Sequence, residues 1–175
     1  TVVSDLEVDT AEENGSLWEL RYPIVGASAE ALADGSGEII VATTRPETML
    51  GDTAVAVHAK DARYLHLHGK EVELPLTGRR IPIVPIDIIR DGKVWPDPAF
   101  GSGAVKVTPA HDPSDYEVSQ VANLPILQII DAHGKICAPA PARYVGLTVD
   151  EARKAVVEDL EAAGRLGAVK DYRVP

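Results

Sequence analysis

Proline and glycine punctuate this chain so closely that most of it has no room for a long helix. Thirteen prolines and fourteen glycines are spread over 175 residues, and the apolar runs between them are short and rich in Val, Ile and Thr. Such runs read as strands, because β-branched side chains suit a pleated surface while Pro and Gly favour turns. The pattern predicts strands over 2–8, 17–25, 38–43, 53–58, 71–74, 80–84, 86–90, 103–108, 124–130 and 170–174. A hairpin loop is expected over 9–15, a variable loop over 26–37 in preference to a helical turn in its Ala-rich middle, and a tight turn at Asp91-Gly92. Residues 60–67 are ambiguous, and Ala54 to Val57 are too uniformly apolar to assign faces. Only two helices are announced. Asp112 followed by Pro113 is an N-cap with proline in the first turn, opening a helix to about 123. Thr148 and Glu151 form a capping box opening a helix to about 163, with Val149, Ala152, Val156, Leu160 and Ala163 on one face and Gly164 after it. The expected fold is mainly β, a closed or nearly closed β-barrel with a few peripheral α-helices.

Two stretches concentrate polar chemistry at strand ends, where a rigid scaffold can present groups to a ligand. The first is Val41-Ala42-Thr43-Thr44-Arg45-Pro46-Glu47-Thr48-Met49-Leu50-Gly51. Thr44 and Glu47 have capping-box spacing, Pro46 suits a first helical turn and Gly51 can stop it. A capped short helix accounts for those four residues and leaves Thr43, Arg45 and Thr48 without a local reason. The second stretch runs from Phe100 to Tyr116 and contains Lys106, His111, Asp112 and Asp115. Lys106 lies within an apolar strand, so it is either on a solvated face or paired in a cleft. Asp112 and Asp115 can serve the N-terminus of a helix or bind a cation. His111 is either a capped-turn histidine or a base. Carboxylates suit an ammonium, and hydroxyls with exposed N–H groups suit an ester carbonyl or a water. From residues alone, no reaction follows.

Several classes are excluded or disfavoured. The net charge is −10, whereas proteins that grip nucleic acid along its backbone carry a basic face; any nucleic acid must touch a small area or be held by something else. No apolar run reaches the length needed to span a bilayer, and the start of the chain has no signal-peptide pattern. The single cysteine, Cys137, cannot form an internal disulfide, which suits a reducing cytosol. His66 and His68 lack an evident third metal ligand, and neither glycine-rich phosphate loop is present.

Three runs carry a family resemblance: Thr43 to Thr48, Gly51 to Val57, and Gly101 to Tyr116. They resemble the inserted editing (CP1) domain of class I aminoacyl-tRNA synthetases. Ser4 to Val8 and Tyr144 to Leu147 extend the likeness over nearly the whole chain. The threonine-rich motif is shared by valyl, isoleucyl and leucyl enzymes, while Lys106 with Pro109-Ala110-His111-Asp112-Pro113 looks valyl. The resemblance implies that residues 1–175 are a single editing domain, a fragment of a larger synthetase. It also implies hydrolysis of the ester in threonyl-tRNA(Val), since a valine-sized synthetic pocket cannot strongly reject an isostere carrying a hydroxyl.

Carried over residue by residue, the resemblance makes Asp115, Lys106, Asp112 and Thr44 catalytic, with Asp115 anchoring the substrate ammonium. Thr43, Arg45, Glu47, Thr48, Asp97, Phe100 and His111 become substrate-binding. Asp97 stands where the family pattern has a glutamate, and 83–98 is more proline-rich than that pattern. No metal, covalent intermediate or cofactor is expected in this fragment, with ATP and Mg belonging to the absent synthetic domain. The expected partners are the acceptor end of tRNA(Val) carrying threonine and the rest of the parent synthetase, in the cytoplasm and away from membranes. Two alternatives compete: an isoleucyl- or leucyl-type editing domain, and a barrel that binds RNA ends without catalysis.

Overall fold

The computed structural model describes residues 13–26 and 36–174. The strand expected over 2–8, most of the 9–15 loop and most of the 26–37 loop lie outside the described residues. Strand β1 (Glu13–Pro23) starts earlier than expected, so part of the anticipated hairpin loop is already strand. It pairs antiparallel with β2 (Glu38–Thr43) on one side and with the last strand, β9 (Leu166–Val174), on the other. A second sheet has the order β4-β5-β3-β8, built from β3 (Ala54–His58), β4 (Glu71–Leu74), β5 (Arg79–Ile86) and β8 (Ala104–Val107). Strands β6 (Ile88–Arg90) and β7 (Lys93–Trp95) make a separate hairpin through Asp91 and Gly92, both at positive φ.

Strand β3 shows why its faces could not be read from sequence. It is central, parallel to β5 and antiparallel to β8, and buried throughout. Val55 and Val57 enter the main core with Leu20, Tyr22, Ile39 and Val41, whereas Ala54 and Ala56 pack into a smaller core with Ile86, Val107 and Val118. A strand covered on both faces needs apolar residues at every position. Helix α2 (Val149–Ala162) closes the main core with Ala152, Val156 and Leu160, and its Thr148–Glu151 capping box is formed as expected. Helix α1 (Pro113–Ala122) begins on Asp112 and ends on Asn123 in the left-handed region.

The architecture is mainly β as expected, and a closed barrel is not found among the described strands. The described strands fall into three sheets rather than one hydrogen-bonded ring. The two larger sheets meet at one edge through the Ile24–Val72 bridge and the Val25 N–H donating to the Glu71 carbonyl, 2.8 Å. At the opposite edge, β2 lies against β8 without a strand ladder. There the Ser102 hydroxyl donates to the Ile40 carbonyl at 2.5 Å. This unzipped seam leaves two strand ends and their loops facing a common opening.

Three local expectations also change. Residues 124–130 form no strand, only a bridge between Ile130 and Ile136, because the N–H groups of Ile129 and Ile130 go to His111 Nε2 instead. The ambiguous 60–67 segment holds a 3₁₀ helix (Ala62–Leu67) capped by Asp61. The two strands expected around Pro85 redistribute, since β5 runs through both Pro82 and Pro85 and breaks at Asp87. Among the described residues no helix is long and apolar enough to cross a membrane.

Close packing extends to the threonine-rich turn. A Cβ on Gly51 would lie 2.9 Å from Ile129 Cγ1 and 3.1 Å from the Leu127 carbonyl. Gly51→Ala is therefore expected to cost about 1–3 kcal/mol of overpacking, read as a lower urea midpoint at unchanged m-value. An unchanged midpoint would mean that the 124–130 segment yields freely.

Candidate functional site

The seam between β2 and β8 opens into a cleft of about 280 Å³. One wall is the end of β2 and the turn after it, with Thr43, Thr44, Arg45 and Thr48; the other carries Lys106, Thr108, His111, Asp112 and Asp115, with Phe100 at the rim. Leu17 and Tyr172, from neighbouring β1 and β9, complete the lining. The two polar stretches, more than fifty residues apart in sequence, thus face each other across one opening.

The turn is not the capping box that its spacing suggests. Residues Pro46–Gly51 form a 3₁₀ helix whose N-cap is Arg45, with no side-chain cap. Thr43 Oγ1 accepts the Arg45 N–H at 2.9 Å, and the Thr48 hydroxyl donates to the Arg45 carbonyl at 2.8 Å. Glu47 turns inward, 0% exposed, into a two-pronged ion pair with Arg153 of α2 at 2.8 and 3.0 Å. Expected on the binding surface, Glu47 does not line the cleft, because a bidentate arginine on α2 holds it inside. Arg45 crosses the opening and donates from Nη1 to the His111 carbonyl at 2.9 Å.

Lys106 is 7% exposed, which rules out a solvated strand face. Its Nζ lies 2.9 Å from Asp52 Oδ1, 3.0 Å from Thr48 Oγ1 and 2.7 Å from Thr108 Oγ1. An ammonium has three N–H bonds, so these partners use all of them. Asp52, fully buried, also accepts the Thr108 hydroxyl at 2.5 Å and the Tyr22 hydroxyl at 2.6 Å. Burial pushes the Asp52 carboxyl up, and Lys106 with the two hydroxyls pulls it back. The result is a buried ion pair whose positive end faces the cleft floor, held by residues from β1, the turn after the 3₁₀ helix and β8.

Among the described residues, Asp112 and Asp115 each keep one oxygen uncommitted. Asp112 Oδ1 accepts the N–H groups of Ser114 and Asp115, at 2.8 and 3.2 Å. Asp115 Oδ2 accepts the Thr108 N–H at 2.9 Å. Burial raises the Asp115 carboxyl to about 6, with the nearby Asp112 charge adding to the effect and the Thr108 N–H opposing it. A buried carboxyl whose ionisation is resisted, with a second carboxylate beside it, is a favourable place for an arriving ammonium. His111 has the opposite fate. Its pKa is lowered by burial and by Arg45 and Lys106, and its Nε2 accepts from Ile129 and Ile130, so that nitrogen is not available as a base.

Asp97 is set apart from this cleft. It accepts the Ala99 N–H at 2.9 Å and lines an adjoining cavity of about 520 Å³ that shares Ala42, Phe100 and Val105 with the first. Phe100, 67% exposed, stands on the divide. Sequence reasoning passed over Asp52, Tyr22 and Thr108. Asp52 and Thr108 lie within the quoted motifs, but nothing local distinguishes a buried carboxylate from an ordinary turn residue.

No family model matches the chain. It is 52% identical over 99% of its length to the valine--tRNA ligase of Dechloromonas aromatica (strain RCB) and 50% identical over 98% to that of Solibacter usitatus (strain Ellin6076). It is 45% identical over its full length to that of Coxiella burnetii. The chain spans only 17–18% of the length of these curated relatives. Among solved structures it resembles a LeuRS of Agrobacterium radiobacter K84, crystallised as a ternary complex with tRNA and LeuAMS. That match has a TM-score of 0.59 and 18% identity, covering 93% of this chain and 20% of that one. It also resembles GlLeuRS-CP1, with a TM-score of 0.59 and 14% identity over 88% of this chain and 99% of that one. The second match shows that this fold exists as a separately crystallised CP1 unit.

Proposed function

We propose that this chain, a segment of the valine--tRNA ligase family of class I aminoacyl-tRNA synthetases, is one editing domain that hydrolyses the ester of threonyl-tRNA(Val). The observation that carries the proposal is the pairing of Asp112 and Asp115, each with a free oxygen, across one cleft from the threonine-rich turn. An aminoacyl ester has an ammonium one carbon from its carbonyl. With the ammonium on the two carboxylates, the carbonyl comes to lie toward Thr43, Thr44 and Arg45.

In this reading Asp115, ionised above about pH 6, is the principal anchor, and Asp112 shares the charge. The Thr44 hydroxyl, outside the network that ties Thr43, Thr48 and Thr108, meets the ester or the attacking water. Water attacks the carbonyl carbon, the C–O bond to the ribose breaks, and the neighbouring ribose hydroxyl relays the proton to the leaving oxygen. Lys106 sets the positive potential of the floor without donating to substrate. The threonine hydroxyl meets a polar wall, whereas valine would leave that wall's groups desolvated and unpaired, which costs about 1–3 kcal/mol per group. Phe100 and the cavity beside Asp97 accommodate the terminal nucleotide. The acidic chain admits only the acceptor end, and the remainder of the cytoplasmic synthetase holds the tRNA and supplies ATP-dependent activation.

The test offers the chain threonyl-tRNA(Val), valyl-tRNA(Val) and valyl-tRNA(Ile) in parallel. Release of threonine from the first, with the other two intact, is the expected result. Cleavage of valyl-tRNA(Ile) alone would replace this reading with the isoleucyl type. Tight binding of a threonyl-adenosine analogue with no release at high tRNA would leave an RNA-end-binding domain instead.

A further inference from the structure

Arg153 lines no part of the cleft, yet it faces a buried carboxylate on the turn that forms one cleft wall. Its Nε and Nη2 engage Glu47 Oε1 and Oε2 at 2.8 and 3.0 Å. Glu47 is 0% exposed, so its charge must be met by partners within the protein. The other cation within reach is Arg45, whose Nε lies 3.8 Å from Glu47 Oε2. Arg45 is directed elsewhere, bonding the His111 carbonyl at 2.9 Å and thereby tying the threonine-rich turn to the segment that begins α1. Two guanidinium groups therefore stand beside one buried carboxylate, and only one of them holds it in a bidentate grip.

We propose that Arg153 is a positioning residue for the hydrolytic site: by occupying both oxygens of Glu47 it leaves Arg45 free to bridge the cleft to His111. The inference rests on the ester-hydrolase reading for its kinetic consequence, though not for its structural one. Without Arg153, the buried Glu47 charge draws in the nearest remaining cation. Arg45 swings inward from a partly exposed position, its bond to the His111 carbonyl breaks, and the outer ends of the two walls lose the strut between them, leaving the deeper Lys106–Thr48 bond to hold the floor. The damage comes from the freed charge of Glu47 rather than from the missing contact with α2.

That distinction yields a sign that a plain scaffold role would not produce. Arg153→Met is expected to lower kcat/KM for the mischarged tRNA by about 10–100-fold, mainly through kcat, as expected for a misplacement on the order of 1 Å. The double variant Glu47→Gln with Arg153→Met has no buried charge to recruit Arg45 and is expected to return to within about threefold of the parent, a coupling of the size seen between contacting residues. A mere tie between α2 and the turn would leave the double variant as slow as the single one. If Arg153→Met does not fold, Arg153→Lys, which keeps the charge and loses the fork, takes its place with a smaller fall in kcat. The Arg45 side-chain Nε–H resonance, followed by nitrogen-15 NMR, should move in Arg153→Met and return in the double variant. Unchanged kcat/KM in Arg153→Met, a double variant no faster than the single, or an Arg45 resonance that stays put would each overturn the proposal. A parent chain that hydrolyses no aminoacyl-tRNA would instead overturn the functional reading, and the Arg45 resonance would still decide this one.

Discussion

Asp115→Ala is expected to abolish hydrolysis of threonyl-tRNA(Val), with kcat/KM falling at least about 10²-fold, while the fold persists. The side chain sits where an ammonium would be held, and a charge-assisted hydrogen bond of that kind is worth about 1.5–3 kcal/mol before the loss of orientation is added. Alanine also strands the buried Thr108 N–H, so Asp115→Asn is the cleaner variant: it keeps an acceptor for that N–H and removes only the charge. Both should be inactive, and retained hydrolysis in Asp115→Asn would remove Asp115 from the site.

The same residue ties activity to stability through pH. Its folded pKa of about 6 lies above the ordinary aspartate value of 3.8. A carboxyl raised in this way contributes stability that is complete below the unfolded value and is lost as pH rises through the folded one. A shift of about two units corresponds to about 3 kcal/mol. Relative to the parent, Asp115→Asn should therefore gain most of this, about 2.5 kcal/mol, between pH 4 and pH 7, measured by urea unfolding at both pH values. The parent's kcat/KM should fall on the acidic side with a midpoint near 6, as Asp115 takes up its proton. Activity and ionisation cost would then reside in one carboxyl, the usual tension between a binding site and a stable fold.

The elements that could be read from sequence were those whose signal is local. The Thr148–Glu151 box, the Asp112-Pro113 start and the Asp91-Gly92 turn each need only a few neighbours to form, and each is present. The polar walls of the cleft were also visible, since Thr43, Arg45 and Thr48 had no local reason and Lys106 and Asp115 each had a binding reading beside a local one. Hidden features all depended on distant partners. Glu47 had ideal spacing for a cap, but its partner lies on α2, 106 residues away. Tyr22 alternates correctly in a strand and gives no hint that its hydroxyl meets Asp52. The pairing of sheet edges was hidden for a related reason. Strand patterns specify faces and not which edges pair, and the edge left unpaired between β2 and β8 is where the site opens. Residues 124–130 looked like a strand because their partner for hydrogen bonding, the His111 ring, is a side chain that strand patterning does not consider.

Removing Asp52 should produce the largest loss of stability of any single change near the cleft. Asp52→Ala leaves the Lys106 ammonium buried with two hydroxyl oxygens and no counter-charge, and leaves the Tyr22 hydroxyl, itself fully buried, without an acceptor. Breaking a buried pair from one side costs about 3–5 kcal/mol, and the stranded tyrosine adds about 1–3 kcal/mol. For a domain whose whole stability is of order 5–15 kcal/mol, that is enough to unfold a large fraction of molecules at 37 °C. Adding Lys106→Met removes the orphaned charge, so Asp52→Ala with Lys106→Met should be more stable than Asp52→Ala alone, by about 2–4 kcal/mol in a urea-unfolding cycle. The double variant should nevertheless remain inactive, because it lacks the positive floor of the cleft. Additive losses in the cycle would show that Lys106 and Asp52 do not depend on each other, and an active double variant would show that the cleft needs no fixed charge. Stability recovered without activity is the outcome expected of an ion pair that organises a binding site instead of strengthening a core.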